Sequence, residues 1–512
     1  MRKLLKRKSK KTTKSRPYFS HPENHEPVST NMEENKRFVE EQLFHTSDLF
    51  HKELTFNGKK ILLLYLRTLV DQEKLQNFVI RPINRTKAGE LSETINSSEV
   101  INTSDLNEAI VGLMKGHCIL ISENSETIYI VSVIANKYRN IDQPVSEQII
   151  RGSHEGFIES MLVNLYLIRK RVENRNLTIK YFTLGKATQT KVALVYVNNL
   201  ANPEIIKEVE KRLNAIDTDS IQSPGFIEEY IEDSPYSPFP QLLNTERPDR
   251  TGGHLLEGRF AIVMEGSPTV LIAPITLFAF YQSPDDYNSR WYIGSFFRTV
   301  RLASFLISMG LPAIYISIVS FHFEVIPIDL IFQIKNSLEN VPFPPLFEAI
   351  MMVIILELLR EASIRLPPSI AQTIGVVGGL VIGTAVVEAS LVSNTMIIVI
   401  ALTAISSFVV PSNEMSTTIR LLSFPLMIGA ATLGFFGIIF FLTLILMHLC
   451  KLKSFGTPYF APFAPFNPEG IKDTFIRLPI WKMNKRPLDS RPQHLNRERF
   501  SRKWKKNDKE TE

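Results

Sequence analysis

Apolar positions are spaced in two different ways along the chain. Up to about Tyr292 they come in short runs separated by polar turns, the pattern of strands and amphipathic helices. From there to Cys450 they fuse into five long segments: Phe297–Ser320, Pro345–Leu366, Ile370–Leu391, Thr395–Pro411 and Leu421–Leu449. The last is expected to break early, at Pro425. Each segment approaches the length of a membrane helix. Trp291 and Tyr292 precede the first, as residues of an interfacial belt would, and Arg298 and Arg301 sit at its mouth.

The first half repeats itself. "KKILLLYLRTLV" (Lys59–Val70) aligns with "TKVALVYVNNLA" (Thr190–Ala201), pairing Lys60 with Lys191, Tyr65 with Tyr196 and Leu69 with Leu200 at an offset of 131. Farther on, "KGHCILISENSETIYIV" aligns with "EGRFAIVMEGSPTVLIA" at an offset of 142. There Gly116 pairs with Gly258, Glu123 with Glu265, Ser125 with Ser267 and Thr127 with Thr269. Each copy reads strand, strand, helix and then a hairpin, so the soluble half is expected to hold two related small α/β modules. The repeat also corrects hydropathy. Gly266–Gln282 is apolar enough for a membrane helix, but its twin carries Glu126, so Phe260–Pro274 is expected to be a hairpin outside lipid.

Expected boundaries follow: a basic disordered tail over 1–47, α/β modules over 48–147 and 148–292, an all-α transmembrane bundle over 293–450, and a basic tail over 451–512. The first sixteen residues hold nine Lys/Arg and no apolar core of a signal peptide. After Cys450 there are fifteen Lys/Arg against seven Asp/Glu. Positive flanks stay cytoplasmic, so both termini are expected inside and the number of crossings even. With five segments, one fails to cross, leaving four, and the second segment is the candidate for exclusion.

That segment, "VPFPPLFEAIMMVIILELLREASIRLP", carries Glu348, Glu357, Arg360, Glu361 and Arg365. A charge near mid-bilayer costs from about 2.5 kcal/mol upward. On a helix Glu357, Arg360 and Glu361 share one face, and Glu361 and Arg365 form an i,i+4 pair. The opposite face is apolar. Two readings stand: a polar face meeting a lumen or neighbouring subunit, and a structural salt-bridge cluster. In the third segment Ala371, Gly375, Gly379 and Gly383 recur every four residues, a stripe that lets another helix approach closely. Glu388 ends that segment, facing a lumen or capping the helix.

The remaining chemistry is sparse. Cys118 and Cys450 are the only cysteines in 512 residues, which gives no disulfide framework or zinc site. There is no phosphate-binding loop, no zinc-binding His pair and no dinucleotide fingerprint on a strand. His154 in "RGSHEGF" stands without an obvious catalytic partner. No catalytic, cofactor-binding or metal-binding residue is expected, nor a nucleic-acid partner, and the chain does not read as an enzyme.

Long stretches carry a resemblance: "RGSHEGFIESMLVNLYLIRKR", "TERPDRTGGHLLEGRFAIVMEGSPTVLIAP", "SPDDYNSRWYIGSFFR", "VPFPPLFEAIMM" and "LKSFGTPYFAPFAPF". Together they resemble the A subunit of GerA-type spore germination receptors over roughly residues 48–467. The stretch "PSNEMSTT", with Glu414, departs from the family's commonly less acidic version. The resemblance implies a multi-pass subunit of the spore inner membrane, working with a transporter-like B subunit that senses nutrient and a lipoprotein C subunit. It implies a homo-oligomer that turns nutrient sensing into release of monovalent cations. The other reading is a non-conducting scaffold that couples a sensor to other germination machinery. Rings of acidic side chains suit a cation pathway and are unnecessary for a scaffold. A secondary transporter acting alone is disfavoured, because no pair of matching membrane halves is visible.

Overall fold

The structure is a computed structural model that describes residues 25–86, 89–97, 99–135, 143–144 and 147–497. The basic run over residues 1–24 and the end of the chain from 498 lie outside the described residues. By contacts the chain divides into two compact units, residues 1–140 with 165–180, and residues 141–164 with 181–512.

The first module contains α1 (Met32–Gln42), β1 (Leu49–Phe56), β2 (Lys59–Leu66), β3 (Val100–Thr103), α2 (Leu106–Met114), β4 (His117–Ser122) and β5 (Ile128–Ser132). Its antiparallel sheet runs β1-β2-β4-β5-β3. The core sets Ile61, Leu63, Leu120 and Val131 of the sheet against Leu75, Val79 and Ile83 of the helical stretch after β2.

The second module contains α3 (Met161–Arg171), β6 (Leu177–Leu184), β7 (Thr190–Val197), α4 (Pro203–Ala215), α5 (Pro224–Ile231), β8 (Leu243–Thr245), α6 (Pro248–Leu256), β9 (Phe260–Met264) and β10 (Val270–Ala273). Its sheet runs β6-β7-β9-β10-β8, the same order strand for strand. β9 and β10 are the expected hairpin, with Val263 opposite Val270.

The duplication extends to single bonds. Glu123 N donates to Lys60 O at 2.9 Å, and Glu265 N to Lys191 O at 3.0 Å. The hydroxyls of Ser125 and Thr127 lie 2.9 Å apart, those of Ser267 and Thr269 3.1 Å apart. Gly116 has φ +89 and Gly258 φ +91, and a Cβ on either would lie 2.9 Å from the carbonyl oxygen of Leu69 or Leu200. Glycine is demanded twice by the same left-handed turn pressed on the same backbone atom.

The repeat also begins earlier than the alignment placed it. Asn35 of α1 binds Ser29 through both ends of its amide, at 2.6 and 2.9 Å. Asn164 of α3 binds Ile158 in the same way, at 2.5 and 2.8 Å. Residues 32–42, assigned above to a disordered tail, therefore form a helix with Asn31 as its cap.

The helical half holds α7 (Trp291–Phe321), α8 (Ile328–Glu339), α9 (Pro345–Arg365), α10 (Pro368–Glu388), α11 (Asn394–Phe408), α12 (Asn413–Leu433) and α13 (Phe435–Lys451). Helices α7 and α12 are long and apolar enough to cross a membrane. The helical half departs from the sequence expectation in two places. That expectation missed α8, whose "IDLIFQIKNSLE" mixes polar and apolar positions and buries none of them. It also broke the last segment at Pro425, which instead lies inside α12. The break falls at Gly434, with φ +61, where a left-handed turn separates two full helices. With α8 set aside as amphipathic, six helices remain, the last five of them joined by short turns.

The segment after α13 is not a tail over its described part. Tyr459 is buried, and its hydroxyl donates to Pro240 O at 2.7 Å. Phe460, Phe463 and Phe475 surround Phe278, with ring centroids 5.7, 5.3 and 5.9 Å away. Its Arg486 is structural: the side chain donates to the carbonyls of Leu256, His494 and Asn496 at 2.7–3.0 Å. Aromatic and guanidinium anchors give this basic stretch a fixed path that net charge alone does not reveal.

Candidate functional site

The charged face of α9 divides into three environments. Near the helix start Glu348 is fully buried. Its Oε2 accepts from the backbone N–H of Ser393, the cap of α11, at 2.8 Å. A carboxylate there is favoured by the positive helix end. Beside it the hydroxyls of Tyr315 and Thr395 lie 2.5 Å apart.

Two turns on, Glu357 meets a partner the sequence reading did not foresee. Its Oε1 lies 2.6 Å from Arg420 Nε of α12 and 3.7 Å from Arg360 Nη1. Arg360 donates to Ser407 Oγ at 3.0 Å, and its guanidinium lies 4.5 Å from the centroid of Phe408. Arg420 donates to Ser416 Oγ at 2.8 Å. One carboxylate thus joins α9 to α12, while Arg360 ties α9 to α11. The Glu357 side chain nevertheless remains 39% exposed.

Of the two acids that share its face, Arg360 pairs with Glu357. Glu361 turns outward and pairs with Arg365 alone, both of them exposed. Arg420 escaped the sequence reading because it lies sixty-three residues from Glu357 and opens an apolar run, where a flanking charge is ordinary.

The stripe residues lie on α10. A Cβ built at Gly375, Gly379 or Gly383 would meet nothing within 4 Å. The intrachain contact is made instead at Gly378, whose added Cβ would lie 3.0 Å from Leu359 of α9. Glu388 is exposed at the end of α10.

A second network anchors the base of α7. Asp286, buried in the short helix Pro284–Asn288, accepts from Arg298 Nε at 3.1 Å and from Arg301 at 2.6 and 2.8 Å. Arg298 also reaches Asp473 Oδ1 at 2.8 Å, and Arg477 donates to Asp286 O at 2.6 Å. Two further contacts join the second module to the helices: Thr418 Oγ1 donates to Pro238 O at 2.6 Å, and Ser237 Oγ lies 2.8 Å from His448 Nε2.

Nearby lie Glu228 of α5 and Glu232, the residue that follows the helix. Burial, then Glu414 and Glu232, pushes Glu228 up to about 9. Burial pushes Glu232 up to about 7. Both folded values lie above the ordinary carboxylate range. The stability they confer is therefore complete below about pH 4.5 and is lost as pH rises through 7 and then 9. The thermal midpoint of the full chain in detergent should fall between pH 6 and 9.5, with a shallower fall for Glu228→Gln. Parallel curves would show that Glu228 stays ionised throughout.

Burial also pushes the Cys118 thiol up to about 12, which leaves it a poor nucleophile. Among the described residues no three His, Cys, Asp or Glu side chains are grouped to hold a metal ion.

The family model described as Bacillus/Clostridium GerA spore germination protein matches residues 37–488. An uncharacterized membrane protein of Bacillus subtilis, YfkQ, is 38% identical over 469 residues, covering 90% of this chain and 91% of its own. Spore germination protein KA of the same organism is 37% identical over 471 residues, covering 90% and 87%. The crystal structure of the N-terminal domain of the A subunit of the Bacillus megaterium spore germinant receptor GerK3 matches at 29% identity and a TM-score of 0.39. It covers 49% of this chain and 97% of that one.

Proposed function

Because the chain belongs to the GerA spore germination protein family, we propose that it is the A-type subunit of a nutrient germinant receptor in the spore inner membrane. In this reading six helices cross the bilayer, α8 lies along the far surface, and both termini are cytoplasmic. Several copies surround an axis, and the polar face of α9 meets the pathway by which monovalent cations leave. The open stripe Ala371–Gly375–Gly379–Gly383 supplies the close contact between copies, and Glu361, Arg365 and Glu388 lie at the mouths of the pathway. A transporter-like B subunit and a lipoprotein C subunit complete the receptor.

The observation that carries the reading is Glu357. It is tied to Arg420 and Arg360 yet 39% exposed on a helix that otherwise asks for lipid. A carboxylate placed only for packing would be expected to be enclosed, whereas one facing a water-filled lumen keeps part of its surface open. The competing reading is a non-conducting scaffold, for which the Glu357–Arg420 pair merely fastens α9 to α12.

The test is potassium release from spores carrying Glu357→Gln at normal protein levels. Conduction past Glu357 predicts release slowed about tenfold, a barrier rise of roughly 1.4 kcal/mol. Wild-type release from this variant would leave the scaffold reading standing.

A further inference from the structure

Phe466, Ile476, Ile480 and Trp481 are large apolar side chains standing exposed on the segment after α13. The exposed Lys472 and Lys482 lie among them. Large apolar side chains exposed in one short segment are a mark of an interaction surface. A membrane surface does, since apolar side chains enter the headgroup layer while lysines meet anionic headgroups.

Charge and position agree. Lys472, Lys482, Lys485 and Arg497 line one cleft of about 250 Å³. Its acidic lining is already engaged: Glu469 by Lys485 at 2.6 Å, Asp473 by Arg298 at 2.8 Å, and Glu257 by Arg259 at 3.3 Å. Lys472 and Arg497 feel Glu469 and Glu257 only at longer range, and the lining's cations, Arg486 among them, outnumber its three acids, so the cleft keeps a positive excess. The segment is also fixed at one height on α7. Ser295 Oγ donates to Arg477 O at 3.0 Å, and Arg298 holds Asp473. Those residues share the first turns of α7 with the exposed Trp291, Tyr292, Phe296 and Phe297, side chains suited to an interfacial belt.

We propose that residues 466–482 form a collar on the membrane surface where α7 enters it, binding anionic phospholipid headgroups through Lys472 and Lys482. Ile480 and Trp481 rest in the headgroup layer. The proposal depends on α7 crossing a bilayer, as in the function proposed above, and the experiment separates the two claims.

The chain has three tryptophans, at 291, 481 and 504. Trp291→Phe with Trp504→Phe leaves Trp481 as reporter, and Trp481→Phe with Trp504→Phe leaves Trp291. Each full-length protein is placed in nanodiscs of brominated phosphatidylcholine, with or without about 30 mol % phosphatidylglycerol. The expected result is quenching of both reporters, with Trp481 quenched more strongly in the anionic discs. Lys472→Glu with Lys482→Glu should abolish that increment and leave Trp291 quenching unchanged. Quenching of Trp291 without Trp481 would place α7 in the bilayer and overturn the collar. Quenching of neither would overturn the membrane placement and the collar together. Quenching of Trp481 that ignores both phosphatidylglycerol and the lysine reversals would overturn the recognition of anionic headgroups.

Discussion

Asp286→Ala should unfold the junction at the base of α7 and cost about 3–5 kcal/mol, the usual consequence of deleting one member of a buried charge network. Asp286 is the shared acceptor of Arg298 and Arg301, and all three side chains are buried or nearly so. Removing the carboxylate leaves Arg301 without its counter-charge and Arg298 with Asp473 alone. It also deletes the N3 side of the capping box that Ser283 completes. Thermal unfolding of the full chain in detergent gives the measurement, with Glu361→Ala as comparison. Glu361 pairs with Arg365 at the surface, where such pairs contribute less than about 1 kcal/mol. Equal midpoints for the two variants would mean that the network at α7 adds nothing to stability.

The second large effect distinguishes two kinds of glycine. A Cβ on Gly437 would collide with the carbonyl oxygen of Gly429 and the neighbouring backbone of α12. Helices α12 and α13 touch there backbone to backbone. Gly437→Ala must push the two helices apart, and a loss of about 1–3 kcal/mol is expected, the range for overpacking a close contact. A Cβ on Gly379 meets nothing within 4 Å in the chain, and Gly379→Leu should change the unfolding free energy by less than about 0.5 kcal/mol. If the α10 stripe joins copies, this same variant lowers the oligomer fraction in size-exclusion chromatography with light scattering. A Gly379→Leu chain that assembles like wild type would remove the stripe from any account of assembly.

The duplicated module was legible in the sequence because the same backbone constraint recurs at Gly116 and Gly258, and the same turn bonds recur at Ser125 and Ser267. Such positions tolerate few substitutions, so they align while the residues between them drift. Helix α1 was missed for the opposite reason. "MEENKRFVEEQ" buries only Asn35 and Val39, too few positions to show a period. The charged face of α9 could be seen on one helix, but its partners could not. Helical spacing places Glu357 beside Arg360 and carries no information about Arg420 or Ser407, which tertiary packing delivers from two other helices. The C-terminal segment was hidden by composition. Its lysines and arginines read as a solvated tail, although Arg477 and Arg486 are buried donors to backbone carbonyls.

The junction at α7 also sets a timetable for biosynthesis. Arg298 emerges from the ribosome 175 residues before Asp473, and Asp286 precedes Arg477 by 191. At roughly 5–20 residues per second, α7 waits about 10–35 s before its base can close. Through that interval Arg298 and Arg301 have only Asp286 as counter-charge, and every later helix must be made first. A chain cut short before residue 473 would carry all six long helices and still leave this lock open. A protease able to recognise the open lock would thereby tell finished chains from unfinished ones.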